Sequence, residues 1–418
     1  MFIASILFYF AYFCCYIKGI FSYKNKFVYK IPVYIMVYEI WTVIAEYYHI
    51  DTGINGMFSV MMMIYVVYYF INNSHKIRKF NHFILFLIVV FLSYLFFRVD
   101  FIYDIESMIT RYLSYFNLFA FMIISFCETT NRVDVILLVK NLLIMLCLYA
   151  LATIIFSIFR IGESMYGINI VYGLAHMQPN SVAVITAGLL CIFTIMRKRY
   201  LHVNRKYFYL FILIVLFLCI TFRRTYPMLM ITVAIPFFVF QFKFKYILIM
   251  SLCIVFGVAF YSFVGIKRDR FMEMDTNKEG RFVEYKLVNE LLKKSNFEYY
   301  FGNGMMFVTR GKYKMDNREN RPLHTGHAEM LLGAGIVGLF LFWLPFTLYF
   351  FSFLKHGFLN KRKNYLSLLI SFPIIYIVLS FSGGIRAPSS IMIMIFYTVI
   401  NKYLIYVRKP NYRIISSS

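Results

Sequence analysis

A chain of 418 residues that is 61% hydrophobic and only 15% charged, with a mean hydropathy of +0.70, cannot be a water-soluble globule, for which about 45–50% apolar and about 25% charged residues are usual. The formal charge of +24 does not call for nucleic acid, because basic residues in so apolar a chain first mark the loops kept on the cytoplasmic side. The seven cysteines all lie in or at the ends of apolar stretches and form neither a disulfide framework nor a metal-ligand spacing.

A helix needs about 20 mostly apolar residues to cross roughly 30 Å of hydrocarbon. Runs of that kind predict spans near 1–21, 31–48, 56–72, 82–98, 109–127, 135–159, 180–196, 207–222, 226–242, 245–265, 328–354, 364–382 and 388–406. That is about 13 crossings. Barrel strands would alternate in polarity, and the run 207–222 does not. The first segment lacks a basic n-region and an A-x-A-like cleavage site, so it is expected to be retained rather than cleaved. The expected fold is an all-α, polytopic transmembrane helix bundle of about 12–13 spans with one large extracytoplasmic loop. Residues 1–266 carry spans 1–10, residues 267–327 the large loop with an amphipathic helix, and residues 328–418 spans 11–13 and a basic tail.

Basic residues gather at 24–30, 75–79, 197–206, 243–245, 355–363 and in the tail at 402–413. With these spans all six fall on one side, which predicts a cytoplasmic C-terminus and an external N-terminus. The opposite face carries 49–55, 99–106, 160–179, the corner 223–225, the long loop and the link 383–388. The long loop holds nearly half of the Asp and Glu, mixed with Lys and Arg, so its charge does not oppose an outward position.

Arg223 and Arg224 interrupt two apolar spans at a tight corner. Guanidinium groups at membrane depth are costly unless they face protein, headgroups or an anionic ligand. The pair either snorkels to lipid phosphate or clamps a diphosphate, whose oxygens match the arginine fork. Arg111, Arg160 and Arg386 also stand at outer span ends.

In the long loop, apolar residues at 283, 287, 288, 291 and 292 form a helical stripe, predicting an amphipathic helix on the membrane surface or on the bundle. Phe301-Gly302-Asn303-Gly304 is a turn signal. It lacks the Lys-Ser/Thr of a nucleotide-binding loop. Arg318, Arg321, His324 and His327 precede the apolar run that starts at Met330. His324 and His327 are one helical turn apart. With Glu329 they would offer a metal little more than a partial ligand set, and the alternative is a pair of interfacial histidines.

The order of these elements resembles the O-antigen ligase and O-antigen (capsule) polymerase superfamily of bacterial inner-membrane glycosyltransferases. Gln178-Pro179-Asn180-Ser181 looks like its Pro-Asn segment opening a mid-chain span, and Thr221-Phe222-Arg223-Arg224-Thr225 resembles its Ser-x-Ser-Arg-Gly/Thr corner. Gly280-Arg281-Phe282, the amphipathic stretch and Gly302-Asn303-Gly304 are similar to its Gly-Arg, helix, Gly-x-Gly progression. His324 followed by Gly335-Ile336-Val337-Gly338-Leu339 looks like its closing motif. The likeness covers residues 178–342; Arg223 stands at a usual serine, Thr325 replaces the common Asn, and His327 stands where an aromatic or aliphatic residue is frequent.

The resemblance implies a GT-C-like bundle that transfers a glycan from an undecaprenyl-diphosphate carrier to an acceptor hydroxyl at the outer face, with inversion. By that likeness Arg224 and Arg281 would hold the diphosphate and His324 would deprotonate or orient the hydroxyl. Arg223, Arg321, His327, Asn180 and Arg386 are the further candidates for substrate binding. No metal and no cofactor are expected, since arginines would neutralise the leaving group. The partners expected are the lipid-linked glycan donor, a lipid-linked glycan or lipid A-core acceptor, membrane lipids and a chain-length regulator, with no nucleic acid. A polymerase of repeat units leads; a ligase to lipid A-core and a lipid-linked oligosaccharide flippase or transporter are the alternatives.

Overall fold

The computed structural model describes residues 2–49, 57–97, 105–128, 131–161, 163–164, 172–173, 189, 206–207, 209–212, 280–293, 295–304, 326–359, 370, 373–377, 380 and 388–406. The predicted spans at 180–196, 207–222, 226–242, 245–265 and 364–382 therefore lie almost wholly outside the described residues.

The other predicted spans are helices. They are α1 (Phe2–Tyr23), α2 (Ile31–Tyr47) and α3 (Met57–Asn72), followed by the short α4 (Ser74–Ile77), then α5 (His82–Phe97), α6 (Ile105–Cys127) and α7 (Arg132–Phe159). A two-residue antiparallel pair follows, β1 (Glu163–Ser164) with β2 (Tyr172–Gly173). Next come the loop helices α8 (Gly280–Leu292) and α9 (Asn296–Phe301), and the late helices α10 (Gly326–Leu359) and α11 (Pro388–Tyr406).

Among the described residues, three helical stretches, Ile109–Cys127, Arg132–Phe159 and Gly326–Lys355, are long and apolar enough to cross a membrane, and shorter apolar helices of 10–17 residues accompany them. The distribution of side chains is that of a protein in lipid. Phe97, Ile71 and Ile158 are 83%, 72% and 69% exposed, whereas Asn117 and Asn141 are buried and donate inward, to the carbonyls of Ser59 at 3.0 Å and Tyr29 at 2.8 Å. Lipid offers no partner to a polar group, so the polar atoms turn to the protein and the backbone pairs within helices. The chain is an α-helical membrane protein.

Lipid tails are as apolar as leucine, so helices in a bilayer are held by close packing rather than by exclusion of water. Here rings do much of that packing. α6 lies against α3 and α11, and α5 lies against α10. Where α5, α6 and α10 meet, Phe91 packs on Phe119 and Phe342 with centroids 5.5 Å away in each case, and Phe119 stacks on Phe346 at 4.7 Å.

The bundle has two distinct ends. At one, Lys26 pairs with Asp134 at 3.4 Å and Lys76 with the buried Glu128 at 3.7 Å. Lys402, from α11, donates there to the carbonyls of Phe126 and Glu128. At the other, Arg111 forms an ion pair with Glu329. Arg111 and Glu128 lie at opposite ends of α6, about 26 Å apart at 1.5 Å per residue. The basic segments at 24–30 and 75–79 and the start of the tail thus converge on one end of the bundle.

The structure departs from the straight span expected at 328–354. α10 is broken at Gly335, whose φ of 67° and ψ of −170° are not helical. His327 and Trp343 would be about 24 Å apart along a straight helix. Instead the Trp343 Nε1 lies 3.0 Å from the His327 Nε2. The segment before Gly335 is therefore folded back against the segment after it.

Candidate functional site

The break in α10 leaves the last carbonyls of its first segment without intrahelical partners, a costly state where Leu332 and Ala334 are buried. Three groups supply the missing donors. The Asn303 amide donates to the Leu332 carbonyl at 2.9 Å and the Gly304 amide to that of Gly333 at 3.0 Å. The Tyr94 hydroxyl reaches the Ala334 carbonyl at 2.7 Å and the Phe301 carbonyl at 3.0 Å. The turn at 301–304 is thus seated on the break, and Tyr94 of α5 ties both to the bundle.

Glycine is required on both sides of this junction. Gly302 has φ 74° and Gly335 φ 67°, in the region that L side chains rarely adopt. A Cβ on Gly302 would run into the backbone of Gly333 and Ala334, and one on Gly335 into the backbone of Tyr300 and Gly302. Ser295 starts α9 as its N-cap, accepting from the Glu298 amide at 3.4 Å. The Gly302 amide ends α9 by donating to the Glu298 carbonyl at 2.7 Å.

α8 leads into this junction. Of its expected apolar stripe, Val288 and Leu292 are buried against Ala328 and Leu332 of α10, with Leu291 partly buried beside them. Between the two positions left open by the sequence, on the membrane surface or on the bundle, α8 packs on the bundle. Glu284, on the same helix, is buried as well. Burial, with the Glu284 charge adding to it, pushes the Tyr285 hydroxyl up to about 12. It therefore stays protonated at neutral pH.

Of the residues named from the sequence, Arg281 is the second residue of α8. His327 is the second residue of α10 and is 7% exposed, its ring enclosed by protein side chains. Its ring stacks on Trp343 at 5.4 Å and 14°. An indole N–H can only donate, so the Nε2 that receives it is unprotonated and the imidazole is the neutral Nδ1–H tautomer. The Ser380 hydroxyl lies 3.4 Å from the same nitrogen. Glu329, the third member of the partial ligand set, holds Arg111. Among the described residues no three His, Cys, Asp or Glu side chains stand together as a metal site. Arg160 is the exposed C-cap of α7, with φ 53°. His324, Arg224, Arg223, Arg321, Asn180 and Arg386 lie outside the described residues.

Two residues at the junction carry no sequence signal. Tyr94 is one of 36 tyrosines and sits in an uninterrupted apolar run. Ser380 lies within an apolar span, where a single hydroxyl is unremarkable. Trp343 is one of only two tryptophans, and that rarity was the available hint.

No family model, no curated protein and no solved structure matches this chain.

Proposed function

We propose that this protein is a membrane glycosyltransferase that joins undecaprenyl-diphosphate-linked oligosaccharide repeat units into O-antigen or capsular polysaccharide. In this reading it works at the outer face of the bacterial inner membrane, with about 13 spans and a cytoplasmic C-terminus. The observation that supports it is the junction of Gly302-Asn303-Gly304 with the break at Gly335. The turn, singled out for its likeness to one superfamily, donates backbone hydrogen bonds to Leu332 and Gly333, which lie between His324 and Gly335 of the closing stretch singled out for the same likeness. The turn follows the helix that Arg281 opens, and the closing stretch begins at His324.

In the proposed reaction the acceptor hydroxyl attacks the anomeric carbon of the donor with inversion. The bond from that carbon to the diphosphate oxygen breaks, and its electron pair leaves with the diphosphate. Arg224 and Arg281 stabilise the charge that develops there. His324 takes the hydroxyl proton, for which a group titrating near neutrality suits. Both substrates are lipid-linked or membrane-bound, so holding them side by side at one outer rim converts an encounter in the membrane into a local reaction.

Deletion of the gene tests the proposal in the cell. Single repeat units on a completed core are the expected surface glycan. Loss of all attached glycan, with lipid-linked polymer intact, would instead assign the protein to ligation onto lipid A-core.

A further inference from the structure

α9 has two faces. Tyr299 turns inward, onto the cluster of Val288, Leu292, Ala328 and Leu332. Phe297, Tyr300 and Phe301 turn outward, 62%, 52% and 39% exposed. Residues 297 and 301 are a helical i, i+4 pair, and their rings lie 5.1 Å from one another. In water such a face would be a liability, since rings of this size favour removal from water.

The depth of α9 follows from Tyr94. In α5, Tyr94 stands four residues before Arg98, the charged residue at which the apolar run of this helix closes. The Tyr94 hydroxyl bonds the carbonyl of Phe301, the final residue of α9, at 3.0 Å. The C-terminal end of α9 is therefore level with the close of that apolar run, where hydrocarbon gives way to headgroups. At that end α5 itself exposes Phe96 and Phe97. α8 by contrast exposes Lys286, Asn289, Glu290 and Lys293, a surface suited to water.

We propose that α9 is an interfacial anchor, its Phe297, Tyr300 and Phe301 face inserted among the lipid headgroups of the leaflet at the C-terminal end of α5. Aromatic side chains concentrate at that depth because a ring is apolar at its body and tolerates the wet boundary. The anchor holds the 302–304 turn and the Gly335 break at headgroup level, the depth at which a phosphate-bearing lipid presents its charge. The inference stands on the exposure and depth of α9 alone and does not depend on the proposed chemistry.

The test uses the full-length protein in phosphatidylcholine vesicles. Phe297→Trp and, separately, Tyr300→Trp each add one indole, and Lys286→Trp places one on the exposed side of α8. The wild-type protein, measured in parallel, supplies the signal of Trp41 and Trp343 to subtract. The added emission of Phe297→Trp and Tyr300→Trp is expected to be blue-shifted, and to be quenched more by lipid brominated near the glycerol end than by lipid brominated near the chain terminus. That of Lys286→Trp is expected to be quenched by aqueous iodide and by neither lipid. Emission from both α9 indoles that iodide quenches and brominated lipid does not would put the face in water. Emission that neither quenches would put it against protein, and stronger quenching by the deep bromine would put it in hydrocarbon. Any of these results overturns the proposal.

Discussion

Lys402 illustrates how single polar residues are used in this bundle. Its ammonium reaches across from α11 to the carbonyls of Phe126 and Glu128, where α6 ends and its carbonyls have no helical partner. A cation at a helix C-terminus is favoured by the dipole as well. Lys402→Met keeps an unbranched apolar side chain and removes these bonds, and should destabilise the bundle by about 1.5–3 kcal/mol. A lowered thermal midpoint in detergent, with helical content unchanged at low temperature, is the expected result. At the opposite end the Arg111–Glu329 pair joins α6 to the first segment of α10. Glu329→Gln removes the charge of the buried carboxylate that holds Arg111, at a cost of about 3–5 kcal/mol. The charge-reversed double variant, Arg111→Glu with Glu329→Arg, should recover part of that loss, and a double-mutant cycle on thermal midpoints measures it.

At the scale of elements, the junction of the 302–304 turn with the broken α10 depends on two glycines at positive φ whose Cβ positions are occupied by backbone. Gly302→Ala and Gly335→Ala should each separate the turn from the break, and Tyr94→Phe should loosen it without blocking it. Accessibility of a cysteine introduced at Asn303 to a water-soluble maleimide reads this directly, rising most in the glycine variants and less in Tyr94→Phe. The helices themselves were legible from the sequence, because in lipid an apolar run of sufficient length has few alternatives to helix. Their starts were less so. α7 begins at Arg132 rather than 135 because Asn131 and Asp134 form a reciprocal capping box, with bonds of 2.9 and 3.1 Å. The break in α10 could not be read from Gly333-Ala334-Gly335, which in an apolar run looks like close helix packing. Its cause is remote in sequence: the amides of Asn303 and Gly304 and the hydroxyl of Tyr94 make an interrupted helix affordable. Of the candidate site, the turn and the closing motif were recognisable as special, while their contact with each other, and the burial of His327 against Trp343, depend on that fold-back.

For the molecule as a whole, the two ends of the bundle differ in a way that suits the orientation proposed. Lys26, Lys76 and Lys402 collect at one end around Asp134 and Glu128, and the loop helices α8 and α9 collect at the other. In the proposed function the first end faces the cytoplasm and the second carries the chemistry. The most direct test is a transfer assay with the purified protein in proteoliposomes, supplied with undecaprenyl-diphosphate-linked repeat units and given no ion gradient. Wild-type protein is predicted to build chains of several repeats and to release the diphosphate carrier, and Arg224→Ala, Arg281→Ala and His324→Ala to lose both while keeping their thermal midpoints. Movement of the lipid-linked units across the vesicle membrane with no chain growth and no carrier released would contradict the account.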